Sequence, residues 1–478
     1  KGRPGMSQFD FDLLVLGGGS GGVAAARRAA EYGAKVAVCE DNQWGGTCVN
    51  RGCVPKKLFV YASEFGRARS IMPAYGWEPG TPQFHWTTLV RNVTNELARL
   101  RGFYDQAMSG NGVTQFNETG VVTGPNSVQV GERTVTSARI LLAVGGKPWV
   151  PSGMEGSEHC ITSDQVFWLE NFPSRILVVG SGYIGTEFSG IFSGLDAEVH
   201  QSFRSDYVLP GFDTDIRRHL QGEMEKNGVQ FHAGDKPVKI EKLGDGSLQV
   251  QMNSGASLQV DQVLMATGRV PRTRGIGLED VGVKIGSREE VVVDDAFQTS
   301  VSSIYAIGDC IRRWELTPVA IAEGRALAEH WYNGQPMNFS YSCVATAVFS
   351  SPPAATVGFS EHYLRKSGCG FEIYRTSFRP MKYALADKQN KAMLKLLVAT
   401  DNNKVLGCHL VGPECGELIQ VLSACLVAGA TKKDLDDTFA VHPTLSEELV
   451  LFRKPDETVA GENPSPDPKM NVPHPNGD

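Results

Sequence analysis

Two stretches of this chain repeat one pattern: "GGGSGGVAAARRAAEYGAKVAVCE" from residue 17 and "GSGYIGTEFSGIFSGLDAEVH" from residue 180. In each, a short apolar run leads into glycines spaced GxGxxG, a helix-like segment follows, and a second apolar run closes the unit. The spacing is restrictive because the glycines differ in purpose: one permits the turn, one lets backbone approach a pyrophosphate, and one lets helix pack on strand. Gly17, Gly19 and Gly22 form the first set, after "DFDLLVL", and the amides from Ser20 onward face the phosphates. Glu40 ends the next strand, 18 residues beyond Gly22, where a carboxylate accepts hydrogen bonds from a ribose. A chain with two such units is expected to be α/β, with two Rossmann-like dinucleotide-binding domains.

The second unit carries Gly180, Gly182 and Gly185, but Phe203 and Arg204 stand where an acid would close its second strand. A cation suits a ribose bearing a 2′-phosphate and cannot accept a proton from a free 2′-hydroxyl, so NADP is expected over NAD. Composition enters by exclusion. With a net charge of −7 and no long basic run, nucleic acid and anionic lipid are not expected partners. No apolar stretch reaches the roughly 20 residues of a membrane helix. Small molecules are the expected ligands.

Two of the ten cysteines, Cys48 and Cys53, lie five positions apart in "GGTCVNRGCVPKK". A regular helix holds such a pair beyond the about 7 Å that a disulfide allows between Cα atoms, so a bonded pair requires a distorted turn. Gly52 and Pro55 supply the means. A redox pair beside a cofactor, its thiol pKa lowered by a helix N-terminus, is one reading. Two buried thiols in a helix is another, and a zinc site lacks further cysteine or histidine nearby. Cysteines 39, 160, 310, 343, 369, 408, 415 and 425 read as structural thiols, which points to a reducing, intracellular compartment.

The length of 478 residues allows about three domains. "SIYAIGDC" places Asp309 after an apolar strand and a glycine, suited to cofactor hydroxyls. From about residue 341, strands such as "AMLKLLVA" and the helical "GELIQVLSACLVAGA" mark a C-terminal α+β domain. The expected boundaries are 8–146 and 269–340 for the first nucleotide domain, 147–268 for the second and 341–454 for the third. A polar, proline-rich tail, 455–478, is expected to be disordered. The first 12 residues lack the apolar core of a signal peptide, and Met6 reads as the natural start.

The order of these motifs, closing on "HPTLSEE", resembles the FAD-dependent pyridine nucleotide-disulfide oxidoreductases of class I over about residues 8–453. The resemblance implies a homodimer with FAD on the first unit, NADPH on the second, and a Cys48–Cys53 disulfide that, once reduced by NADPH through FAD, reduces glutathione disulfide, with the C-terminal domain for dimerisation. Cys53 resembles the thiol beside the flavin, and Cys48 the interchange thiol. Lys56 and Glu187 resemble an ion pair at the flavin, Tyr183 the ring gating the nicotinamide, and Thr47, Gly146, Asp309 and Thr317 flavin contacts. His442, oriented by Glu447, resembles a general acid/base from the partner subunit. Ser20, Arg27, Tyr104, Arg325 and Met381 match substrate positions, and arginine forks suit the carboxylates of glutathione.

Two departures bear on the coenzyme. Pro210 stands where a second basic residue usually clasps the 2′-phosphate, and Gly185 where alanine is frequent; Arg269 in "ATGRVP" is expected as an added cation. The alternative is an NADH-preferring reductase of a modified glutathione, such as glutathione amide, or of a trypanothione- or dihydrolipoamide-type disulfide. Arg51 is similar to plant and cyanobacterial sequences, so the expected location is the cytoplasm, or a plastid for a photosynthetic eukaryote.

Overall fold

Strands apolar at nearly every position want cover on both faces, and the computed structural model, which describes residues 8–78, 80 and 82–467, places them at the centre of parallel sheets. Phe11–Leu16 runs parallel to Val36–Cys39 on one side and to Arg133–Leu142 on the other, with Leu13 opposite both Val36 and Arg139. Thr114–Phe116 extends this sheet beyond Val36–Cys39, and Ile304–Ala306 adds in parallel to Arg133–Leu142. Helix Ser20–Glu31 packs beside helix Thr317–Asn333, where Arg28 and Tyr32 both bond to Glu329. These elements belong to one of two compact units, built from the described residues of Lys1–Leu58, Thr87–Trp149 and Gly268–Phe339.

The second unit, from Phe59–Trp86, Val150–Thr267 and the described residues of Ser340–Asp478, repeats the parallel arrangement. Its strand order is Val229–Ala233, Glu198–Phe203, Arg175–Val179, Gln262–Met265, Ile161–Thr162. It also holds a six-stranded antiparallel sheet whose buried Leu394, Leu396, Cys408 and Leu410 pack against Ile419, Leu422 and Leu426 of helix Cys415–Ala428. The segment 59–86, expected within the first nucleotide domain, falls in this unit.

Disorder from residue 455 onward is not what the structure shows for its described part. Glu457–Val459 forms an edge strand on Phe371–Phe378, with Phe371 opposite Val459, and the Ser465 amide donates to Asp401 at 3.0 Å. Backbone pairing and the packing of Val459 on the Phe359–Phe371 cluster compensate for a polar composition. Residues 1–7, with Met6, and 468–478 lie outside the described residues. Among the described residues no helix is long and apolar enough to cross a membrane.

Candidate active site

Helix Gly46–Arg51 stops at Gly52, and helix Cys53–Ala68 starts immediately after it. A Cβ on Gly52 would stand 2.9 Å from the Thr47 carbonyl oxygen, so any side chain there would push the two helix ends apart. This break brings Cys48 and Cys53, both thiols, within hydrogen-bonding reach of each other. The hydroxyls of Ser20 and Thr317 also reach Cys48, and Thr317 Oγ1 lies 3.5 Å from Cys53 Sγ. Four side chains singled out in the sequence thus meet at one pair of sulfurs.

The expected lowering of thiol pKa by a helix terminus does not hold for Cys48. Its hydrogen bond with Cys53 pushes it up, burial and the charge of Cys53 add to this, and the two hydroxyls only oppose it. A charge on Cys48 would face a second sulfur in desolvated surroundings. Deprotonating it calls for a base. The turn before it is pinned by buried Asn50, whose amide donates to the carbonyls of Gln43, Trp44 and Gly46 at 3.2, 3.1 and 3.0 Å. In the sequence Asn50 signals only as a polar residue between two cysteines.

The first glycine turn sits beside this pair in the same unit. Gly17 has φ +110, and a Cβ on Gly22 would fall 2.0 Å from the Gly17 carbonyl oxygen. Helix Ser20–Glu31 starts from Gly19 with no side-chain cap, which leaves its first amides for an anion. Glu40 accepts from the amides of Gly18 and Asn42 at 2.8 and 2.9 Å; burial raises its pKa and these bonds oppose the rise. The Asp309 carboxyl is raised by burial, with the Arg269 charge opposing, and among the described residues no other residue donates a hydrogen bond to it. Buried Glu323 holds the adjacent turn by accepting from the Gly308 amide at 2.7 Å. Uncapped helix amides and a desolvated carboxyl bonded only by its own residue's amide among the described residues fit a dinucleotide with a pyrophosphate and a hydroxylated chain. Arg269, expected as an added cation for the second nucleotide, donates to the Gly146 carbonyl and places its charge near Asp309 and Glu315.

Of the substrate candidates in this unit, Ser20 and Tyr104 share the surroundings of the sulfurs. Tyr104 is raised by burial, then by the charges of Cys48 and Cys53, with Arg27 opposing. Arg27 and Arg325 are exposed, on helices Ser20–Glu31 and Thr317–Asn333. Thr47 is half-buried in helix Gly46–Arg51, and Lys56 half-buried in helix Cys53–Ala68.

In the second unit the glycine turn recurs, with the Gln201 amide donating to the Gly180 carbonyl at 2.9 Å. A Cβ on Gly185 would meet that same carbonyl oxygen at 2.6 Å and Gln201 Nε2 at 3.3 Å, so glycine here has a packing reason independent of coenzyme. Helix Tyr183–Gly194 starts from Gly182, again without a side-chain cap. Tyr183 opens it; Glu187, one turn on, is buried and accepts from the Phe349 amide at 2.8 Å. Arg204 is exposed and makes no hydrogen bond or ion pair among the described residues. Met381 is exposed in the short turn Met381–Tyr383. His442 Nδ1 lies 2.9 Å from Glu447 Oε2, and the carboxylate, which only accepts, fixes the ring proton on Nδ1. Nε2 is left to act. The His442 side chain is 80% exposed against 13% for Glu447.

Among the described residues no group of three His, Cys, Asp or Glu side chains is placed to hold a metal ion. Residues 11–324 match the family model described as pyridine nucleotide-disulphide oxidoreductase, and 344–452 match the dimerisation domain of that family. Three similar proteins are called glutathione reductase. That of Burkholderia cepacia is 44% identical over 448 residues, 94% of this chain and 99% of the relative. That of Nostoc sp. is 42% identical over 458 residues, 93% of this chain and 100% of the relative. The Pisum sativum protein, described as chloroplastic/mitochondrial, is 40% identical over 463 residues, 95% of this chain and 84% of the relative.

Proposed function

Since this chain belongs to the pyridine nucleotide-disulphide oxidoreductase family, we propose that it is a homodimeric glutathione-disulfide reductase using FAD and NADPH. The observation that carries this reading is the meeting of Cys48 and Cys53 across Gly52, beside an uncapped glycine-turn helix. Gly17, Gly19, Gly22, Glu40, Thr47, Gly146, Asp309 and Thr317 would hold FAD, and Gly180, Gly182, Gly185 and Arg204 would hold NADPH. When bound, FAD supplies the two-electron relay between NADPH and the sulfurs.

The chain's own residues do the thiol chemistry. Cys48, as thiolate, attacks one sulfur of glutathione disulfide; a Cys48–glutathione bond forms and the other glutathione leaves. A leaving thiolate departs far more readily when protonated, and His442 of the partner subunit delivers that proton from Nε2 while Glu447 holds the ring. Cys53 then attacks Cys48 Sγ, which releases the second glutathione and closes the Cys48–Cys53 bond. The raised Cys48 pKa gives His442 its second task, since the same imidazole removes the Cys48 proton before attack. Arg27 and Arg325 grip glutathione carboxylates, with Ser20 and Tyr104 completing that side of the pocket. Lys56 supplies charge at the flavin, and in the second unit Tyr183, one turn before Glu187, covers the nicotinamide site. A reducing compartment, cytoplasm or plastid, fits this chemistry.

Replacing Cys48 by serine tests the scheme. The variant should still bleach the flavin when NADPH is added, because only the exchange sulfur is gone, yet consume no NADPH steadily with glutathione disulfide. Wild-type turnover in that variant excludes the scheme.

A further inference from the structure

A 2′-phosphate carries about 1.5 to 2 negative charges near neutral pH, so one guanidinium leaves it about half neutralised. Arg204 is free to contact it, but Pro210 contributes no charge. The loop 204–212 that follows strand Glu198–Phe203 is tightly positioned. Its Leu209 amide donates to the Ser181 carbonyl, in the second glycine turn itself, at 2.7 Å. On the other side, Arg217 of helix Thr214–Lys226 donates through Nε to the Val208 carbonyl at 2.8 Å and through Nη2 to the Tyr207 carbonyl at 2.9 Å. Arg217 is thereby committed to the loop backbone, and its half-buried guanidinium faces Asp206.

The next residue is not committed in this way. Arg218 is exposed, its guanidinium carbon lies 5.6 Å from the centroid of the Tyr207 ring, and it hydrogen-bonds to that side chain, with the Asp215 charge also near it. Tyr207 stands three positions beyond Arg204 in the same loop. A ring under a guanidinium limits where the charge can go while leaving its donor edge open. We propose that Arg218, presented on Tyr207, is the second cation that grips the coenzyme's 2′-phosphate together with Arg204. The inference rests on the reading above that the coenzyme is NADPH. It also explains how a chain with proline at position 210 keeps a phosphate clasp: the charge comes from the helix packed on the loop instead of from the loop.

The test is steady-state kinetics with glutathione disulfide, using NADPH and NADH in parallel, for wild type, Arg218→Ala, Arg218→Lys and Arg204→Ala. Inhibition by 2′,5′-ADP is compared with inhibition by ADP. Arg218→Ala should lower kcat/KM for NADPH about 10- to 100-fold, mainly through KM, as loss of a charge-assisted phosphate contact does. It should weaken 2′,5′-ADP inhibition in proportion and leave NADH kinetics and ADP inhibition within about twofold. Arg218→Lys should recover most of the loss, and Arg204→Ala should show the same coenzyme selectivity. An unchanged NADPH-to-NADH ratio in Arg218→Ala, or an equal loss with both coenzymes, overturns the proposal. A wild-type enzyme that prefers NADH overturns the coenzyme reading itself, a result visible before any variant is compared.

Discussion

Gly52 sets the distance between two sulfurs by having no side chain. A methyl group at that position would sit 2.9 Å from the Thr47 carbonyl oxygen and 3.4 Å from the Cys48 Cα, so relief must come from moving the backbone that carries Cys48. Gly52→Ala should therefore cost about 1 to 3 kcal/mol of stability as an overpacked contact. Its effect on exchange should be larger, because a displacement of about 1 Å at reacting atoms costs about 100-fold in rate. Paired measurements of thermal unfolding and of glutathione disulfide turnover check this. Wild-type turnover in the alanine variant would mean that the close approach is not what aligns the pair. Gly52 was readable from the five-residue spacing of Cys48 and Cys53, since that spacing demands a break. The upward shift of Cys48 was not, because it follows from the hydrogen bond that Cys53 makes with it and from the burial that the folded surroundings impose, neither of which spacing alone sets.

Helix Thr214–Lys226, whose Arg217 holds the carbonyls of Tyr207 and Val208, is anchored at its start by charge. Asp213 caps it by accepting from the Asp215 amide at 3.1 Å. The Lys395 ammonium, on the strand Ala392–Ala399, is fully buried and donates to Asp213 at 2.8 Å, Asp215 at 2.8 Å and Glu361 at 2.6 Å. Burial alone would raise Asp213, but the charges of His409 and Lys395 and the hydrogen bonds outweigh it and hold the carboxyl below its ordinary range; Asp215 is likewise lowered against burial, by Lys395 and Arg375. Carboxyls lowered in the folded state contribute stability that is full above their unfolded pKa near 4 and is lost as pH falls through the folded values. Lys395→Met should cost about 3 to 5 kcal/mol near neutral pH by leaving buried carboxylates without their cation. In that variant burial is no longer outweighed, the carboxyl pKa values rise, and stability is regained as pH falls through them. Denaturant unfolding across the acid range should show the gap between the two proteins narrowing; a gap of constant size would mean that the carboxylates do not depend on Lys395. None of this network was legible in advance. "AMLKLLVA" reads as a strand, correctly, but Lys395 finds its partners in two other segments, at Asp213 and Asp215 and at Glu361, and spacing along the chain carries no trace of them. The two glycine turns were legible for the opposite reason, since the glycines that shape each turn follow one another within a single strand, turn and helix.

In a C2 dimer each subunit offers the same surface to the other, so a residue that acts across the interface completes the partner's site and not its own. His442 suits such a role: its ring is held from behind by Glu447 and its side chain is 80% exposed, in the segment matched by the dimerisation model. Phe439, at 96% exposure, and Val441, at 71%, are apolar neighbours that gain by being covered. If His442 serves the partner's sulfurs, Cys48→Ser and His442→Ala, each inactive as a homodimer, must complement one another. In a mixed dimer, the subunit that keeps Cys48 faces the subunit that keeps His442, and one of its two sites is whole. Random reassociation of equal amounts makes mixed dimers of about half the molecules, so about a quarter of wild-type turnover per chain should return. Two inactive parents that stay inactive after verified subunit exchange would place His442 in the same subunit as the thiols it serves. Recovery near the expected fraction, absent when either parent is reassociated alone, would assign the proton donor to the opposite chain.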